Sequence, residues 1–489
     1  MTISRNNLVY ALLGIAFASV GAIVIGNLNI QISLYIVAAL FAIVLAIAIY
    51  IHPSLGAPIL IVAVFTNISR QFTDRGLPGV IKPLVVIVAV AALVQYINLA
   101  RVPRGRVKTG KIETLLVLFL MVTAFSYIAA DNKERAIEMI VDLAKDIVII
   151  YCILFTLRNP NKWKQSAWII ILVTAFLCLL GGYQVISGNY SQEFFGLARV
   201  IEDVGSYSTT HRIAGPIKEP NIWAQIVVAV VPLVIYRFIY ERSIRMKLFM
   251  AAILGILLFE VLNTYSRGAY VGLAIIFIFV MMRQWRRNSG MVITGIITII
   301  TILVFLPSSY SERFRTLLQL TPSNENGIYE EGSFRGRSSE MLTGLKMFSE
   351  NPLLGVGAGN YPNNYQEYTQ HIGLELSSGE RDPHSLYVQI LAETGIIGGL
   401  TFIGFSILLL INLSLTRKSV EHLSAYQNWE PWISAIQLTI IAYLITSIFL
   451  HGAYLRYFWI FAALAISTIQ LTEKSLNNPA LDHSLELPV

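Results

Sequence analysis

Leu8–Gly26 and Gln31–Tyr50 each run for about twenty residues without a charged side chain, and similar runs recur along the chain. A helix rising ~1.5 Å per residue crosses the ~30 Å hydrocarbon core of a bilayer in that length. No water is available there, so a backbone in such a run must satisfy its own hydrogen bonds, which a helix does. The alternating pattern of a membrane barrel is absent. Composition agrees: 13% of residues are charged and 55% hydrophobic, whereas a soluble domain carries about a quarter charged residues. The implied fold class is an all-α polytopic membrane protein.

Fourteen spans are expected, within a range of 12–14: 8–26, 31–50, 55–68, 80–98, 113–130, 139–157, 167–187, 221–240, 247–264, 267–283, 291–306, 385–413, 431–450 and 454–471. The third and tenth are short. Ala16-Phe17-Ala18 resembles a cleavage site, but the apolar run continues past it, which favours an uncleaved first span. Basic residues then fall on alternate sides. One side holds Arg5, the Arg101–Lys111 cluster, Arg158, Lys162 and Lys164, Arg237–Lys247, Arg283–Arg287, and Arg417 with Lys418. The positive-inside rule makes that side cytoplasmic, with both termini on it. The net charge of +7 is thus a topology signal and implies no nucleic-acid partner.

Four regions follow: an N-terminal bundle at 1–187, a core region at 188–306 with an outer loop at 188–220, a large outer loop at 307–384, and C-terminal helices with a short tail at 385–489. Pro307–Pro383 contains ten acidic and six basic residues, so it lacks the cytoplasmic bias. It has a helix-like stretch around Met341–Phe348 and a Gly-rich turn at Gly355–Gly359, and is expected to fold over the outer membrane face. Cys152 and Cys178 lie inside apolar stretches, as packing residues do.

Several chemistries lack their residues. There is no phosphate-binding loop ending in Gly-Lys-Ser/Thr, no His-Glu-x-x-His, no Cys-x-x-Cys and no Asp-x-Asp in an outer loop. No metal or cofactor is implied. What remains on the outer side is a set of arginines and one histidine. Arg212 lies just before the eighth span, in His211-Arg212-Ile213-Ala214-Gly215. Arg267, in Tyr265-Ser266-Arg267-Gly268, sits between two spans separated by almost nothing, where a charge faces a cavity, a counter-ion or an anionic ligand. A guanidinium offers two parallel hydrogen bonds to phosphate oxygens. Snorkelling, or a salt bridge from Arg267 to Glu260, is the competing account. His384, in Asp382-Pro383-His384-Ser385, opens the twelfth span and could take a proton from a hydroxyl; a solvated helix-end histidine is the alternative. Arg335 and Arg337 are auxiliary candidates. Lys145, with Asp142 and Asp146, could form a buried ion network; Lys82 and Arg456 are expected to snorkel, and His451 to pack near an interface.

Together these stretches resemble the O-antigen ligase and O-antigen polymerase superfamily over about 210–400. The resemblance rests on Arg212-x-x-Gly215 with Pro220-Asn221, on Ser266-Arg267-Gly268, and on Asn351-Pro352-Leu353-Leu354-Gly355-Val356-Gly357 followed by His384-Ser385-Leu386-Tyr387. The family more often has Asn where this chain has Ser385. The resemblance implies a metal-independent glycosyltransferase of surface-polysaccharide biosynthesis in a bacterial inner membrane, its active site on the periplasmic side. The donor would be a glycan on a polyprenyl diphosphate, and the acceptor another lipid-linked glycan or a glycolipid, with other polysaccharide-assembly proteins as further partners. Arg212 and Arg267 would hold the diphosphate, and His384 would act as base or position the acceptor. The long outer loop and the span count lean towards a polymerase over a ligase. A transporter of a small anion such as bicarbonate is the rival, with Arg267 and Lys145 along its path, although no inverted repeat is visible. A structural scaffold is a third reading.

Overall fold

The computed structural model describes residues 43–100, 110–204, 209–285, 328–372, 380–450, 452 and 455–477. In order, the helices are α1 (Ile43–Ile51), α2 (Gly56–Phe65), α3 (Ile68–Thr73), α4 (Ile81–Ala100), α5 (Lys111–Phe125), α6 (Lys133–Thr156) and α7 (Pro160–Ser187). A hairpin of β1 (Val200–Val204) and β2 (Thr209–Ile213) follows. Then come α8 (Pro220–Tyr240), α9 (Ile244–Asn263), α10 (Arg267–Trp285), α11 (Ile328–Glu350), α12 (Tyr361–Ile372), α13 (Leu386–Val420), α14 (Glu430–Thr446) and α15 (Arg456–Asn477).

Helix starts follow local chemistry. The Asn159 side chain accepts from the Asn161 amide and Glu219 from the Asn221 amide, each followed by a proline at the first helical position. The α7 helix ends at Gly188, whose φ of +67° suits a residue without Cβ.

Six helices among the described residues are long and apolar enough to cross a membrane: Lys111–Ala129, α7, α8, α9, α10 and α13. The chain is therefore an all-helical membrane protein in its main architecture. Fourteen spans are not established. The expected runs at 8–26 and 291–306, and most of 31–50, lie outside the described residues. The expected third span is replaced by a bent pair, Ile43–Ile51 and Pro53–Phe65, meeting at 117°. Helix α14 is apolar but shorter than a full span. The tenth span, expected to be short, is a 19-residue helix.

Helix α8 is the centre of the bundle. Its residues are buried almost without interruption from Ile222 to Tyr236, and it packs against α14, α9 and α10. Buried on all sides, it has no polar face, as a central helix requires. Helix α13 packs on α5 and α11, and α15 on α6. An aromatic cluster of Phe402, Phe405, Phe458 and Trp459 fixes α13 against α15.

The two outer segments are not bare loops. The 188–220 segment contains the β1–β2 hairpin, antiparallel with Ile201 opposite Arg212, which the sequence reading did not anticipate. It is tied down by Asn67 and Gln71, whose side-chain amides donate to the Pro216 carbonyl, and by Asp74, which takes ion pairs from Arg199 and Lys218. The hydrogen bond from Lys218, joined by Arg199, holds the Asp74 carboxyl below its usual range despite partial desolvation. In the longer segment, the helix-like stretch around Met341–Phe348 is the second half of α11. The Gly-rich turn is seated against the start of α13. Val356 N donates to Ala392 O and Ile396 N to Pro352 O, both at 2.8 Å.

Candidate functional site

Five helices bring matching ends together. The start of α13 is joined to the end of α14 by Leu386 N donating to Ser447 O at 3.0 Å, and α8 joins them through Gln225 Nε2 to Ser447 Oγ at 2.7 Å. The turn between α9 and α10 meets β2 and the start of α8 through one arginine. Arg212 donates from Nε to the Thr264 carbonyl and from Nη2 to Asn221 Oδ1, each at 2.9 Å. Two of the three sequence stretches that singled out Arg212 and Arg267 are thereby in direct contact.

That turn is tight. Thr264 closes α9, Tyr265 adopts a left-handed φ of +52°, and α10 begins at Arg267. A non-glycine residue in that region is uncommon and marks a backbone held by its surroundings. Arg267 consequently stands at the amino end of α10, the end of a helix dipole that favours an anion.

A further arginine arrives from α11. Burial lowers the Arg337 guanidinium below the usual arginine range, and the positive charge of Arg267 nearby acts in the same direction, opposed by Glu340 and Glu219. Glu219 is the capping carboxylate of α8, bonded to Asn221, which holds Arg212. So Arg212, Asn221, Glu219, Arg337 and Arg267 form one connected neighbourhood, drawn from β2, α8, α10 and α11. Two like charges held close, with one of them partly buried, create a positive potential suited to a multiply charged anion.

His384 precedes α13 and closes the neighbourhood on its other side. Its Nδ1 lies 2.6 Å from Glu340 Oε2, while Arg381 Nη1 lies 3.2 Å from Glu340 Oε1. The Glu340 side chain is only 2% exposed, that of His384 29%. Tyr361 of α12 donates its hydroxyl to the Glu340 carbonyl; burial, with the Glu340 charge adding, raises that phenol above its usual range. Neither Glu340 nor Arg381 was singled out from sequence. Their signal is only the helical pattern of α11 and the closeness of Arg381 to His384 in the chain.

The remaining candidates fall elsewhere. Lys145 belongs to a separate network, bonded to Asp142 at 2.6 Å, with Arg456 bonded to the buried Asp146 at 3.0 Å. Arg456 is thus an ion-pair partner of α6 instead of the snorkelling residue expected. Glu260 accepts from the Trp223 indole at 2.7 Å, a partner the sequence reading did not foresee for it. Arg335 lies in α11 with its side chain outside the described residues, and His451 lies outside the described residues altogether. Cys152 and Cys178 are buried and free, as packing residues. Among the described residues, no three His, Cys, Asp or Glu side chains are grouped to hold a metal ion.

Long apolar helices define a multi-pass membrane protein, and its candidate site sets arginines near a carboxylate-bonded histidine. Residues 252–403, from α9 into α13, match the family described as O-Antigen ligase. The matched segment contains Arg267, Arg337, Glu340 and His384, and excludes Arg212. No curated protein matches the chain.

Proposed function

We propose that this protein is a membrane glycosyltransferase that moves a glycan from a polyprenyl diphosphate to a hydroxyl of another lipid-linked glycan or of a glycolipid. The observation that carries the reading is Arg212 bonded to both Asn221 and Thr264, which seats it against the turn that leads into Arg267, with Arg337 in electrostatic reach of Arg267 and of Glu340, the partner of His384. The O-antigen ligase match supports the class of reaction and lends no support to an anion carrier.

In this mechanism Arg212, Arg267 and Arg337 bind the donor diphosphate. The acceptor hydroxyl oxygen attacks the anomeric carbon as the bond from that carbon to the phosphate oxygen breaks. Its proton passes to His384, and the electron pair of the breaking bond leaves with the lipid diphosphate. Charge therefore grows on the leaving group, where fixed guanidinium groups stabilise it without reorganisation. Attack opposite the leaving group inverts the anomeric centre. The apolar helices and the O-antigen ligase match support a bacterial inner membrane as the setting, and in this reading the site faces the periplasm and both termini the cytoplasm, as the distribution of basic residues suggests.

The test is transfer by purified protein from an undecaprenyl-diphosphate-linked glycan with EDTA present. Wild type should join glycans, Arg267→Ala should lose ~3 kcal/mol of transition-state stabilisation, or roughly 10²-fold in rate, and His384→Ala should be severely impaired. A ladder of lengthening products identifies a polymerase; a single addition to a glycolipid identifies a ligase. Retention at the anomeric centre would rule out the single displacement.

A further inference from the structure

We infer that Glu340 is a positioning residue, whose carboxylate orients His384 and fixes which ring nitrogen carries the lone pair that takes the acceptor's proton. The inference rests on the glycosyltransferase reading and deepens it. A histidine at a loop–helix junction has two nitrogens and a ring free to rotate; to act as a base it must present one lone pair in one direction. Glu340 meets the Nδ1 side at 2.6 Å, the short distance of a charge-assisted hydrogen bond. With Nδ1 donating to the carboxylate, Nε2 becomes the basic nitrogen. When Nε2 takes the proton, the resulting imidazolium faces a carboxylate already in place.

Glu340 is itself held on every side. Arg381 pairs with the second carboxylate oxygen at 3.2 Å, so the group is shared between two cationic partners and cannot swing away without losing both. Its backbone carbonyl accepts from Tyr361, which pins this turn of α11 to α12. Arg337, three residues earlier on the same helix, lies within electrostatic reach of both Glu340 and Arg267. One turn of α11 therefore supplies a cation directed to the donor's side of the site and an anion directed to the base.

The experiment is a double-mutant cycle in the same transfer assay, using full-length wild type, Glu340→Gln, Glu340→Asp, His384→Ala and the double variant His384→Ala/Glu340→Gln. Glu340→Gln should lower kcat by up to about 10⁴-fold while leaving the donor KM near wild type, the kind of loss seen when the residue orienting a catalytic histidine is neutralised. Glu340→Asp should recover part of it. The decisive reading is non-additivity: a residue acting through His384 adds little once His384 is gone, so the double variant should match His384→Ala. A double variant slower by the full Glu340→Gln factor would overturn the inference, as would wild-type kcat in Glu340→Gln. Absence of transfer by folded wild type would instead overturn the glycosyltransferase reading, and this inference with it. Circular dichroism and thermal unfolding of each variant separate loss of activity from loss of fold.

Discussion

Substituting Gly395 by alanine should unseat the layer that carries half of the candidate site. Gly395 interrupts α13 with φ +66° and ψ −166°, a conformation almost confined to glycine. An added Cβ would stand 2.3 Å from both the carbonyl carbon and oxygen of Leu353, so the 351–357 turn must move away. That movement breaks the Ile396 N to Pro352 O and Val356 N to Ala392 O bonds. Backbone strain of about 1–3 kcal/mol, with about 1 kcal/mol for each hydrogen bond, predicts a loss of roughly 3–5 kcal/mol. A natural protein's margin is only about 5–15 kcal/mol. The control is Gly76→Ala. Gly76 has a similar φ of +73° but nothing within 4 Å of its Cβ position, so only the backbone term of about 1 kcal/mol applies. Thermal unfolding in one detergent should show Gly395→Ala well below Gly76→Ala, and transfer should fall with it as α11 and Glu340 lose their place beside His384. Equal unfolding temperatures for the two variants would refute the close-approach reasoning.

Three further outcomes follow from the same coordinates. Arg267→Lys keeps the charge but loses the two-pronged donor geometry, so kcat/KM in the transfer assay should fall about 10-fold or more, between wild type and Arg267→Ala; wild-type activity would count against bidentate binding. Trp223→Phe removes the indole donor to the buried Glu260 carboxyl and should cost about 1–3 kcal/mol in thermal or denaturant unfolding, much of it restored by a second change, Glu260→Leu. The Asp74 carboxyl, held low by Lys218 and Arg199, contributes stability that is present above its unfolded value near 3.8 and is lost as pH falls through the lower folded value. Asp74→Asn should flatten the pH dependence of unfolding below about pH 4 and leave the wild-type slope intact above about pH 5; an unchanged acid limb would show that other carboxylates dominate it.

The legible parts of this chain were those written in long, one-sided patterns. Uncharged runs gave α8, α9 and α10 nearly to their ends and α7 at its carboxyl end only, because a bilayer imposes one length and one composition while the first turns of α7 carry Lys162 and Lys164. Arg212 and Arg267 stood out because charge is rare at a span boundary, and the structure joins their two segments through Thr264 and Asn221. The hairpin carrying Arg212 was missed because its strands are five residues each and one of them, Val200–Val204, carries two acidic residues and no clean alternation. Glu340 was missed for a different reason. It lies 44 residues before its partner His384, in a segment rich in other charges, and only the packing of α11 on α13 makes it special. The bend between α1 and α2 has its cause in His52-Pro53, where a proline ends one helix, a signal that the apolar run around it concealed.

The most direct test of the central claim is to follow the lipid product. Purified protein in detergent or proteoliposomes would be given an undecaprenyl-diphosphate-linked glycan, and both joined glycan and freed undecaprenyl diphosphate would be quantified by mass spectrometry. The account predicts one lipid diphosphate released for each glycan joined, by wild type and at a rate roughly 10² lower by Arg267→Ala. Glycan joining without release of the lipid diphosphate, or no joining by folded protein across several donors and acceptors, would contradict it.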